Sequence, residues 1–355
     1  MIVRFAPHTE FTTTLKSRVA TYVSEQDSAR VRRRMLTKTF TIFAWALLSY
    51  GAFVLFASQP WHTLVLAISM GLAAAGIGMS IMHDANHEAY PVGKGWRRAL
   101  GWSLDVLGGS SYIWRFQHNV NHHTFTNIDD ADRDISIGAI ARLSPTQPRR
   151  AYHRFQHIYL WPMYSFLALS WIFWADWRDY STSSIGSNRF PRPKGREALL
   201  FWGGKLLWVV IWIALPLISQ PWWAVALFGV VTFLVTGLVL SVIFQMAHVV
   251  EHVEFPEIDE SSPRSESEFF AHQVATTADF AQGNRLLGWY LGGLNFQIEH
   301  HLFPKLCHLH YPGVAKIVRE TCREYGMPYH SYDTLFGAMR SHGRWLHTMG
   351  TGVTA

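Results

Sequence analysis

Charge is scarce in this chain and cysteine scarcer: of 355 residues only 16% are Asp, Glu, Lys or Arg, and Cys307 and Cys322 are its two cysteines. Two cysteines without CxxC spacing exclude a disulfide framework and a thiolate zinc site, and they fit a reducing compartment. So little charge beside 49% hydrophobic and 15% aromatic residues is lean for a soluble domain and points to a chain partly solvated by lipid. Residues 1–38 lack the short apolar core and cleavage site of a secretory signal. They are polar and end in Arg30, Arg32, Arg33, Arg34 and Lys38, which predicts a cytoplasmic N-terminus. The net charge of +6 raises nucleic acid as a partner, but no nucleic-acid-binding signature accompanies it. Basic cytoplasmic loops of a membrane protein give the same excess.

What the chain does have is long uncharged runs. Thr39 to Ala57 is long enough to cross the hydrocarbon core, and after Ser58-Gln59-Pro60 a second run extends from Trp61 to Met82. The form recurs: Leu199 to Ile218, with Lys205 its one charge, then Ser219-Gln220-Pro221, then Trp222 to Ala247. These read as two transmembrane hairpins. Their tight turns contain no Lys or Arg, whereas residues 83–198 are rich in them, so the positive-inside rule puts both termini and the long middle loop in the cytoplasm. Two shorter aromatic-rich stretches, Leu100 to Trp114 and Ile158 to Trp174, are interrupted by Gly108-Gly109 and Pro162 and read as interfacial or re-entrant, with a spanning Ile158 to Trp174 helix as the alternative. The expected fold is one all-α integral membrane domain over 1–355: a cytoplasmic segment (1–38), a first hairpin (39–82), a cytoplasmic loop (83–198), a second hairpin (199–247) and a cytoplasmic C-terminal part (248–355). The cytoplasmic parts form a helical cap that holds a two-metal site.

The chain carries 19 histidines, and most are clustered. HDANHEAY places His83 and His87 on one helical face where the second run ends. HNVNHHTFTN repeats the device with His118 and His122 and adds His123 about 100° round the helix. QIEHHLFP gives His300 and His301 with Gln297 one turn earlier, and FQMAHVVEH gives His248 and His252. Neutral imidazole suits iron, zinc or copper and excludes magnesium and calcium. Asp84, Glu88, Asp129, Asp130, Glu251 and Glu299 lie close in sequence, either to fix imidazole tautomers or to ligate. His272, His308 and His310 are candidates for contact with the site. His8, His62, His153, His157, His330, His342 and His347 read as surface or satisfied polar residues. Trp102, Tyr112, Trp114, Trp289 and Tyr290 are candidate walls of an apolar slot.

In this order, with paired hydrophobic runs between first and last, HDANH, HNVNHH and QIEHH resemble the three histidine boxes of the membrane fatty acid desaturase family. The resemblance runs from about Thr39 to Tyr329, and QIEHHLFP is similar to the front-end acyl desaturase branch. It implies that His83, His87, His118, His122, His123, His300 and His301 are iron ligands, joined by His248 from the last span, with His252 and Gln297 as further candidates. Two iron ions (Fe2+/Fe3+) and O2 would then remove hydrogen from an unactivated methylene, which no acid or base side chain can do. The substrate would be an acyl lipid, acyl-CoA or acyl carrier. Related di-iron hydroxylases and acetylenases share such boxes. A non-catalytic metal transporter is the reading of another class, but it would need ionisable residues lining the spans. The HPGG motif of a fused cytochrome b5 does not occur, so the resemblance implies a separate ferredoxin or cytochrome b5 as electron donor, docking around Arg97, Arg98, Arg149, Arg150 and Arg154. It fits a bacterial inner membrane better than the endoplasmic reticulum.

Overall fold

The computed structural model describes residues 3–258 and 264–352. Its helices are α1 (Glu10–Ser24), α2 (Ser28–Phe56), α3 (Pro60–Asn86), α4 (Lys94–Gly101), α5 (Ala151–Thr182), α6 (Arg196–Ile218), α7 (Trp222–His248), α8 (Phe269–Thr276), α9 (Gln297–Leu302), α10 (Tyr311–Tyr325) and α11 (Leu335–Thr351). Between α4 and α5, the short helix Ser111–Trp114 runs on into a π-helical segment, Arg115–His122. The all-α expectation needs a small amendment: three two-stranded ribbons join Arg4–Ala6 to Arg264–Glu268, Ser184–Ile185 to Asn188–Arg189, and Ala278–Phe280 to His330–Tyr332.

Five helices, not four, are long and apolar enough to cross a membrane: α2, α3, α5, α6 and α7. Helix α2 starts eleven residues before the expected span. Asp27 caps it by accepting from the amides of Ala29 and Arg30, each at 3.0 Å, so Lys38 lies inside the helix. Helices α3 and α7 pack closely at Gly71, where a Cβ would sit 2.7 Å from the Thr232 carbonyl oxygen. Thr232 and Thr236 donate to the carbonyls of Ala67 and Gly71 at 3.2 and 3.1 Å. Small residues and hydroxyl bonds are what hold helices together where apolar side chains gain nothing by leaving lipid.

The two tight turns lie together. Ser219 Oγ donates to Val54 O at 2.8 Å and Gln220 Nε2 to Phe53 O at 3.0 Å. His83 and His248 therefore emerge at the other end of the bundle, where α3 and α7 finish.

Helix α5 is different. Its start packs on α11 and on residues 139–142, with Gln156 Nε2 donating to Leu346 O and Arg142 O at 2.8 Å each. At its finish Asp179 pairs with Arg133, one residue from Asp134. Both ends thus sit at the histidine end of the bundle. Midway, Ser241 Oγ of α7 donates to Tyr164 O at 3.1 Å, and buried Lys205 of α6 reaches Asp176 Oδ2 at 2.6 Å and Gly108 O at 2.6 Å. A buried charge inside a span is costly unless paired, and this pair fixes α5 against α6.

Candidate metal centre

The histidine boxes gather into two buried groups. His83, His87, His118 and His300 bring one nitrogen each to within 4.8 Å of one another, and His122, His248 and His301 do the same. His123 lies between them: its Nε2 is 3.3 Å from His118 Nε2, and its ring stacks on His301 at 4.3 Å. All eight are buried. Local structure explains the convergence. A π-turn, Gly78–Met82, precedes His83, and the second box is itself π-helical, with the His123 amide donating to His118 O five residues back. The wider turn brings His118, His122 and His123 to one side, where an α-helix would have rotated His123 away.

The residues fit a pair of metal ions. His87 Nε2, His123 Nδ1, His248 Nδ1, His300 Nε2 and His301 Nε2 are buried with no hydrogen-bond partner, a costly arrangement unless the nitrogens face cations. His83 Nε2 and His118 Nε2 lie 3.1 Å apart. That is the spacing of two nitrogens on one ion with metal–nitrogen bonds of about 2.1 Å. Several opposite ring nitrogens are held from outside: His122 Nδ1 by Asp132 at 3.0 Å, His301 Nδ1 by Gln273 Oε1 at 2.8 Å, and His300 Nδ1 by the Tyr311 hydroxyl at 3.1 Å. Such partners fix which nitrogen faces the metal. Burial, reinforced by neighbouring imidazoles, pushes His87, His118, His123, His300 and His301 well below the ordinary histidine range, so they are neutral and ready to ligate. Burial also opposes charge on His122, but Asp132 and Asp134 outweigh it and raise this residue to about 9.

The other predicted residues divide. Gln297 is buried and lines a small cavity beside His83, His118, His122 and His248. His252 falls outside both groups. Helix α7 stops at His248 and the chain turns through a left-handed His252 (φ 78°), so the four-residue spacing no longer places the two on one helical face. His252 is exposed and faces His330. His308 binds Asp84 and Lys38, at 2.8 and 2.9 Å, and His272 packs on Phe5. Of the expected carboxylates, Glu88 and Glu251 pair with Lys305 and Arg344, and Asp129 binds Thr146 and Gln147. Asp130 orders its own loop, taking the Ser187 hydroxyl on its carbonyl. Glu299 meets Tyr329 at 3.1 Å. The groups that hold the imidazoles, Asp132, Gln273 and Tyr311, had no sequence signal beyond the alternation of aspartates at 130, 132 and 134.

A cavity of about 460 Å3 opens beside His118 and Asp134, and shares both, with Phe244 and Gln245, with the small cavity among the histidines. Its apolar walls are Leu160, Met163, Leu167 and Trp171 of α5 and Phe244 of α7. Among the five expected wall aromatics only Trp114 lines it, stacked on His118 at 4.5 Å. Tyr112 and Tyr290 bond to the carbonyls of Pro191 and Leu72, Trp102 lies under Arg196, and Trp289 under Lys38. The five expected docking arginines also separate. Arg97 and Arg98 line a cleft beside the first box, whereas Arg149, Arg150 and Arg154 are exposed near α11.

Residues 59–333 match the fatty acid desaturase family. The chain is 39% identical to the acyl-lipid (8-3)-desaturase of Physcomitrium patens, over 98% of this chain and 73% of that protein. It is 36% identical to the sn-1 linoleoyl-lipid 6-desaturase of Synechocystis sp., over 98% of each, and 35% identical to that of Arthrospira platensis, over 98% of this chain and 94% of the relative. With two groups of buried imidazoles at the mouth of an apolar cavity and these likenesses along nearly its whole length, the chain belongs to the membrane fatty acid desaturase family, enzymes that introduce double bonds into acyl chains.

Proposed function

We propose that the protein holds two iron ions on its eight clustered histidines and uses O2 to desaturate an acyl lipid near its carboxyl end, the acyl chain lying in the cavity between α5 and α7. The observation that carries this is the contact of that apolar cavity with His118 and Asp134. The relatives named as 6- and (8-3)-desaturases of acyl lipids support both the substrate class and the position.

Bound iron supplies the redox chemistry with O2 that hydrogen removal from a methylene requires. The chain's own residues do the rest. His83, His87, His118 and His300 hold one ion and His122, His248 and His301 the other, with His123 set between them and Gln297 beside the second group. Asp132, Gln273 and Tyr311 keep the imidazoles oriented. Leu160, Leu167 and Trp171 bind the acyl chain and exclude water from it. Phe166 and Trp174 are exposed on α5, so an acyl chain can enter sideways from the bilayer.

In this reading α2, α3, α6 and α7 span as two hairpins within a single domain. Helix α5 dips into the bilayer and returns, since both its ends meet the histidine end. The lysine- and arginine-free turns support a metal site on the cytoplasmic side, and the membrane proposed is a bacterial inner membrane. Electrons come from a ferredoxin or cytochrome b5, guided by exposed arginines such as Arg149, Arg150 and Arg154.

The test is gas chromatography with mass spectrometry of total fatty acids from cells expressing the intact chain or His122→Ala. A new unsaturated acid that disappears in the variant is expected. A hydroxylated or acetylenic product would replace desaturation with a sister oxidation, and no product in cells supplied with reductant and varied acyl chains would overturn the reading.

A further inference from the structure

Beside the first histidine box, away from the acyl cavity and sharing no lining residue with it, lies a cleft of about 240 Å3. Ala85, Asn86 and Glu88 form one wall; α4, the second-box helix and the start of α6 form the others. Lys94, Arg97, Arg98, Arg115 and Arg196 face it, against two carboxylates, Glu88 and Glu197. Both carboxylates are already matched, Glu197 by Arg115 at 3.7 Å and Glu88 by Lys305 at 3.7 Å. Arg97 Nη1 donates to Glu88 O at 3.2 Å, and Arg196 lies over the Trp102 ring. Lys94, Arg98 and Arg196 have no carboxylate within ion-pair distance among the described residues. Two chain segments, α4 and the start of α6, therefore bring uncompensated positive charge to one concave place.

Its position says what kind of anion it takes. Arg196 begins α6, a helix apolar enough to cross a membrane, and Leu199 in its first turn is 74% exposed. Helix α4 carries Trp96, 73% exposed, next to Arg97 and Arg98. A short basic helix with an exposed tryptophan belongs at the bilayer surface, and basic pockets beside spans at that level take phospholipid headgroups. At about 240 Å3 the cleft is of the size of a small anionic group, and it suits a phosphodiester, which arginine forks bind bidentately.

We propose that this cleft is a phosphate-binding site that holds the headgroup of an anionic membrane phospholipid, with Lys94, Arg98 and Arg196 as the charges that meet it. The site also touches the first box. Arg115 Nη1 donates to Asn86 Oδ1 at 3.3 Å and Asn119 Nδ2 to Asn86 O at 2.9 Å, so the wall it stiffens is the residue before His87.

The experiment uses the full chain with its metals in an uncharged maltoside detergent. Its thermal midpoint is followed while short-chain phosphatidylglycerol, inorganic phosphate or an uncharged galactolipid is titrated. Phosphatidylglycerol should raise the midpoint saturably, by roughly 3–6 °C at a hundredfold excess over Kd. The rise should vanish in Arg98→Gln/Arg196→Gln and persist in Arg149→Gln/Arg150→Gln, with the galactolipid inactive. If the first pair fails to fold, Lys94→Gln/Arg98→Gln, both on exposed α4, carries the same comparison. Inorganic phosphate acting as strongly as the lipid would keep the site and assign it to the free anion. No rise in the wild type, or an equal rise in the cleft variant, overturns the proposal. So does a cleft variant that binds lipid normally but is reduced more slowly by an acidic electron carrier, which would make the cleft a protein dock.

Discussion

Asp132 is fully buried, and one of its oxygens accepts from both His122 Nδ1 and the Asn127 amide, each at 3.0 Å. Its carboxylate holds His122 and, in the proposed centre, would answer the charge of the ion bound there. Asp132→Asn keeps the shape and removes the charge, so iron affinity is expected to fall by roughly 10–100-fold, read as iron per protein after dialysis against a weak chelator. An unchanged iron content would show that His122 needs no such partner. His342 offers a different measurement. It is buried between the Tyr164 hydroxyl and the Val249 carbonyl, and burial pushes it down to about 4 despite the bond to Val249. The folded chain then refuses a proton that the unfolded chain accepts below about 6.5. The stability this residue contributes is whole above that pH and falls by about 1.4 kcal/mol per unit as pH drops toward 4. His87, His118, His123, His300 and His301, also lowered by burial, act in the same direction, so the readout is a difference: His342→Gln should show a shallower loss of unfolding midpoint between pH 6.5 and 4.5 than the wild type.

At the scale of elements, α5 decides what the enzyme can accept. It supplies one side of the cavity, and Gly237 of α7 gives it room: a Cβ there would collide with the Ser165 backbone. Leu167→Trp projects a larger ring into the cavity without touching a histidine. Turnover of long acyl chains should fall at least tenfold while iron content stays at the wild-type level, measured by product analysis and metal assay on one preparation. Loss of iron in that variant would mean that α5 supports the metal centre itself. The second-box helix shows how an irregular element does what a regular one cannot. A π-turn costs helix hydrogen-bond quality, and here it orients a third imidazole to the same side as the other two.

For the whole molecule, the ions proposed above would act as cross-links. The clustered histidines come from α3 and the turn after it, the second-box helix, α7 and α9, segments separated by long stretches of chain, and so many buried unpartnered nitrogens oppose folding without cations. Stripping the ions with a strong chelator should therefore lower the thermal midpoint as well as abolish activity. The lost stability is about 2.7 kcal/mol for each ion if the free metal had stood at a hundred times its Kd. Zinc should restore the midpoint and not the turnover, since it accepts imidazole but carries no redox chemistry. A chelated protein with an unchanged midpoint would show that the histidines are held together by packing alone.

The sequence by itself pointed to four of the five membrane-length apolar helices and to all eight clustered histidines, because mean hydropathy over twenty residues and the spacing of imidazoles on a helix are local properties that tertiary contacts seldom overrule. The π-helical geometry that turns His123 to the side of His118 and His122 was not legible in it. Tertiary structure alone decided that His252 stands apart, since α7 ends at His248 and Val249 (φ −121°, ψ 66°) leaves the helical path before His252 is reached. It chose Asp132, Gln273 and Tyr311 as the imidazoles' partners over carboxylates nearer in sequence, because a hydrogen bond selects the group nearest in space. It made α5 a cavity wall with both ends on one side, a path set by Lys205, Asp176 and Gly237, which hydropathy cannot register.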